Sequence, residues 1–133
     1  MGAWDIGSFD NDAALDWVYE LEKASNFSIL EEAFETVLDQ KSDSPDATDC
    51  CIALCAAEVV ASLLDNPASE LPGEVLGWIE DKPEPSSELI NLALKTIAVI
   101  LNDSELKELW LETDEYQDWV DNVTNLTENL TEE

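Results

Sequence analysis

The sequence predicts an all-α fold, a single compact domain over residues 1–133 with about five helices, a short extra helix and a non-helical N-terminal arm (1–10). Three observations carry this expectation. Apolar residues recur at i, i+3, i+4 and i+7 through most of the chain. Caps and breakers punctuate it at helical lengths. No segment alternates with period two over a useful length, so no sheet is expected.

The first helix is expected from about Asn11 to Ala24, where Ala14, Trp17, Val18 and Leu21 share one face. Asp10 or Asn11 can cap it, and Asp12 suits the positive end of the helix dipole. The second runs from about Ser28 to Gln40, opening on a Ser28-x-x-Glu31 capping box, with a stripe of Leu30, Ala33, Phe34, Val37 and Leu38. A polar linker, Lys41 to Asp46, leads to a third helix from about Ala47 to Leu64. That helix is apolar on nearly every side, which marks it as central. Asn66-Pro67 ends it. Within the Pro-, Gly- and Ser-rich stretch 67–87, Gly73 to Asp81 forms the short extra helix and inserts Val75, Leu76, Trp78 and Ile79. The fourth long helix runs from about Ser87 to Leu101 on a main stripe of Ile90, Leu94, Ile97, Ala98 and Leu101, widened by Val99 and Ile100, and is also deeply buried. Asn102-Asp103-Ser104 turns and caps a last helix from Glu105, whose stripe runs from Leu106 through Trp110, Thr113, Tyr116 and Trp119 to Val123. Asn125 to Glu133 reads as a polar, frayed tail.

Charge is the unusual property. The chain of 133 residues carries 32 Asp and Glu against five Lys, with no Arg and no His, for a formal net charge of -27. A magnitude of about 2 to 8 suffices for solubility of a small domain. Such a charge repels nucleic acid and anionic membrane and attracts basic proteins. The absence of Arg removes the usual clamp for phosphate or carboxylate substrates.

Met1-Gly2-Ala3-Trp4-Asp5 has neither the basic nor the apolar region of a secretory signal. The longest apolar run, Cys50 to Leu64, is broken by Glu58 and Ser62 and is too short to span a bilayer. A cytoplasmic protein with reduced Cys50, Cys51 and Cys55 is expected.

Met1-Gly2-Ala3-Trp4, Gly7, Phe9, Asn11-Asp12, Ala14 and Asp16-Trp17 form a distinctive opening. Ala56 to Ala61, Leu71-Pro72 with Trp78, and Ser104 to Trp110 follow in order. Together they resemble the bacterial family called domain of unknown function 4259. Asp5 stands where members often have Gly, and Lys107 where they often have Arg. The resemblance implies one compact helical domain and brings no established activity.

Catalytic machinery is sparse. Without His, serine–histidine and cysteine–histidine chemistry is excluded within one chain. No dinucleotide fingerprint, phosphate loop or zinc-protease motif occurs. Glu58, alone in an apolar helix, reads either as a general acid or metal ligand, or as a carboxylate held by a structural hydrogen bond or left on a wet edge. Asp10, Asp12 and Asp16 could coordinate a hard cation, but helix capping explains them with fewer assumptions, and they lack calcium-loop spacing. No cofactor and no metal are expected. Trp4, Ile6 and Phe9 either seal the core or form a partner-binding hook.

Three functional readings follow. The first is an acidic, non-catalytic binding protein that engages or inhibits a basic partner, as an immunity or antitoxin-like protein or a nucleic-acid mimic does. Asp114, Glu115, Asp118 and Asp121 would form its acidic face, with Trp4, Phe9 or Trp119 supplying an apolar centre where they are exposed. The second is a salt-adapted helical protein whose charge is a solvation trait. The third is a carboxylate-based metal enzyme, disfavoured because helical metal bundles pair Glu-x-x-His motifs. The first is preferred.

Overall fold

A computed structural model describes residues 12–24, 27–38, 47–64, 73–80, 82, 85–102 and 104–131. Among them lie seven helices and no strand: α1 Asp12–Lys23, α2 Ser28–Leu38, α3 Ala47–Leu63, α4 Gly73–Ile79, α5 Ser87–Asn102, α6 Glu105–Leu111 and α7 Tyr116–Thr131. The all-helical expectation holds. The number of helices differs by one, because the expected last helix is two.

The axis of the fold is α3, which packs against all six other helices. Its side chains from Cys50 to Ser62 are buried except the half-buried Ile52. A helix apolar all round can satisfy its surface only by being surrounded. Ala53, Ala56, Ala57 and Ala61 are all buried, and small side chains let neighbouring helices come close. Cys50, Cys51 and Cys55 are buried thiols in the same helix. Around α3, α1 contributes Trp17, Val18 and Leu21, and α2 contributes Leu30, Ala33, Phe34 and Val37, the faces expected from their spacing.

Helix bonding in α2 begins earlier than the expected capping box. The Glu31 N–H donates to the Phe27 carbonyl at 3.1 Å, so Phe27 rather than Ser28 supplies the first acceptor. Short α4 inserts Val75 and Trp78, and the Trp78 indole N–H donates to the Ala24 carbonyl at 2.9 Å. The same ring meets Phe27 at 6.1 Å between centroids. One indole thereby ties α4 to the end of α1 and the start of α2.

In α5 the buried stripe is Leu89, Ala93, Thr96, Ile97 and Ile100, rotated from the expected one. Ile90, Leu94 and Leu101 are half-buried and Ala98 is exposed. The sequence offers two overlapping apolar sets, and packing selects the one that turns small Ala93 and Thr96 inward. The Thr96 hydroxyl is satisfied by donating to the Leu92 carbonyl at 2.8 Å. Unlike α3, this helix has a wet side at Glu88, Asn91 and Lys95.

Ser104 joins α5 to α6 as the sequence suggests. Its hydroxyl donates to the Ile100 carbonyl at 2.8 Å and accepts from the Lys107 N–H at 3.0 Å. The expected continuous last helix breaks after Leu111. The Thr113 hydroxyl donates to the Trp110 carbonyl at 2.8 Å and accepts from the Glu115 N–H at 3.1 Å. A threonine in this role competes with the helical backbone and favours a turn. From Tyr116 the chain resumes as α7, which continues past Asn125 to Thr131 with Leu126 and Leu130 buried. Those two leucines give the polar tail an apolar face in register with Trp119 and Val123.

Candidate functional site

The turn between α6 and α7 presents Asp114 and Glu115, and the outer face of α7 presents Asp118 and Asp121. All four are exposed. Their direction follows from the opposite face, where Trp119, Val123, Leu126 and Leu130 are anchored in the core. Helical periodicity then turns Asp118 and Asp121 to solvent. The Gln117 amide donates to the Asp121 carboxylate at 3.1 Å. The four acidic side chains are therefore all exposed, along the turn and the outer face of α7 that follows it, and are called the acidic ridge below.

Its expected apolar centre is corrected at Trp119. Trp119 is only 2% exposed and stacks on Trp110, so it is a core residue and unavailable to a partner. Trp4 and Phe9 lie outside the described residues. Leu111, 53% exposed at the end of α6, is the large apolar side chain that borders the acidic turn. The signal for it in the sequence is that Leu111 falls off the Leu106–Trp110 stripe.

Three of the lysines have a neutral group close by. Lys107 Nζ donates to the Asn102 carbonyl at 3.0 Å. Lys82 lies 4.5 Å from the Trp78 ring centroid, and Lys23 lies 6.0 Å from that of Tyr19.

Glu58 is buried in α3. Among the described residues no buried side-chain nitrogen or oxygen lacks a hydrogen-bond partner. Glu58 is therefore not on a wet edge. Of the acidic cluster near the N-terminus, Asp10 lies outside the described residues, Asp12 opens α1 and Asp16 is exposed. Among the described residues no group of three His, Cys, Asp or Glu side chains is placed to hold a metal ion.

A second feature has no counterpart in the sequence reading. A cleft of about 260 Å³ lies where α1, α2 and α3 meet. Trp17, Ile29 and Ile52 give it apolar lining, and Glu20, Glu32 and Asp49 are also in its wall. These residues come from three different helices, so no local spacing announces them.

The family model described as Domain of unknown function (DUF4259) matches residues 2–122. The chain belongs to that family. No curated protein and no solved structure matches it. The match contains the whole acidic ridge of this DUF4259 chain and both stacked indoles. It ends within α7, so Val123, Leu126 and Leu130, all core residues, lie beyond the matched span. No helix among the described residues is long and apolar enough to cross a membrane.

Proposed function

We propose that this protein acts without turnover, by binding a basic protein partner through the ridge of Asp114, Glu115, Asp118 and Asp121. The observation that carries the proposal is that all four carboxylates are exposed on one stretch beside exposed Leu111, in a chain of net charge -27. The chain also lacks His and Arg, which removes the common acid–base and phosphate-clamping groups.

The acids and the leucine do different work. Exposed ion pairs contribute only about 0–1 kcal/mol each, so the ridge mainly speeds encounter and fixes orientation. Leu111 supplies the apolar contact that a lasting complex needs at its centre.

An inhibitor of a basic protein surface fits better than a mimic of duplex nucleic acid. Asp114, Glu115, Asp118, Asp121 and Glu128 are the exposed acids from Asp114 through α7. At about 1.5 Å per residue they span roughly 21 Å. Duplex DNA carries about one charge per 1.7 Å, or roughly twelve over that length. Five carboxylates are too sparse to imitate it.

Affinity capture from the source cell at low and high salt tests the proposal. A specific basic protein should be retained at low salt and released as salt rises. Recovery of nothing beyond what an unrelated, equally acidic protein recovers would make the charge a solvation trait.

A further inference from the structure

We infer that the cleft between α1, α2 and α3 is a seat for one arginine side chain of the basic partner. This rests on the basic-partner reading, but the seat can be tested without the partner.

Size is the first argument. Pockets for whole small-molecule ligands run about 300–1,000 Å³. At about 260 Å³ this cleft falls below that range and suits a single long side chain.

Lining is the second. Trp17 from α1, Ile29 from α2 and Ile52 from α3 provide apolar surface against which a methylene stem can lie. Trp17 is nearly buried, while Ile29 and Ile52 are half-buried, so part of this surface faces the cleft. Glu20 and Glu32 are exposed carboxylates on two different helices of the wall, and half-buried Asp49 adds a third.

The arrangement selects among cations. A bare metal ion needs ligands that converge, and among the described residues no three acidic side chains do so. A guanidinium has five donors in a planar fork and reaches several acceptors at once. It is also more weakly hydrated than an ammonium, so it loses less on entering a half-apolar cleft. The charge of the whole molecule draws every cation nearby, and the cleft adds an apolar wall to its carboxylates.

The test is a heteronuclear NMR titration of the full chain with Nα-acetyl-L-arginine methylamide at physiological salt. Saturable shifts should centre on the Trp17 indole and the Ile29, Glu32 and Ile52 amides. Glu20→Gln/Glu32→Gln should weaken the affinity roughly tenfold. Both positions are exposed, and removing like charge does not threaten the fold. Glu88→Gln/Glu108→Gln, which removes the same charge elsewhere, should change it less than about twofold. The lysine analogue should bind more weakly. Shifts scattered over the surface without saturation, equal weakening by both double variants, or equal binding of the lysine analogue would each overturn the assignment. None of these results bears on capture by the α7 ridge, so the two ideas fail separately.

Discussion

The indole rings of Trp110 and Trp119 are stacked, with centroids 6.3 Å apart and planes 10° from parallel. They lie on opposite sides of the α6–α7 turn. Tyr116 joins them from the first residue of α7, 6.0 Å from Trp119. The stack locks the two helices together and thereby sets which way the acidic turn between them faces.

Trp119→Ala should accordingly destabilise the protein by about 3–5 kcal/mol, the range for removing a large buried aromatic. Urea denaturation followed by circular dichroism measures it. A loss below about 1 kcal/mol would show that Trp119 is not the anchor of α7.

Removing one side chain from the central layer should have a comparable effect. Leu54→Ala in α3 and Ile97→Ala in α5 each take a buried residue from the core and should cost about 2–5 kcal/mol. Wild-type stability in both would reject α3 and α5 as the centre of the packing.

Ser104→Ala removes both an N-cap acceptor and a donor to the end of α5. A loss of about 0.5–2 kcal/mol is expected. Amide hydrogen exchange at Lys107 should quicken, because its N–H loses the Ser104 hydroxyl. Unchanged exchange at that amide would argue against the cap.

Self-repulsion at this charge predicts a general response to salt. Melting temperature should rise with ionic strength similarly for sodium and potassium chloride. Dialysis against chelator at fixed ionic strength should leave it unchanged. Structure lost to the chelator and restored by one stoichiometric cation would instead identify a metal site.

Periodicity made much of the fold legible. The faces of α1 and α2 follow from single, unambiguous stripes, and the central place of α3 follows from having no polar side to expose. Sequence and structure differ where two physical solutions share one pattern. In α5, neighbouring apolar pairs such as Leu89-Ile90 and Ala93-Leu94 define two faces a single residue apart, and only contact with α2, α3, α6 and α7 chooses between them. At Thr113 a helical stripe continues unbroken, yet the hydroxyl bonds that end α6 are local to the folded turn. The acidic ridge was legible because charge is written in the sequence. The burial of Trp119 was not, since a tryptophan on an amphipathic helix can serve a core or an interface equally. The cleft needed three helices to be brought together before it existed.

Charge reversal on the ridge tests the binding role most directly. Asp114→Lys, Glu115→Lys, Asp118→Lys and Asp121→Lys, combined in one variant, should leave the helical spectrum intact, because all four side chains are exposed. Binding of the salt-sensitive partner recovered by capture should fall by at least roughly tenfold, chiefly through slower association. A folded variant that binds that partner as tightly and as fast as the wild type would contradict the assignment of this ridge as the binding face.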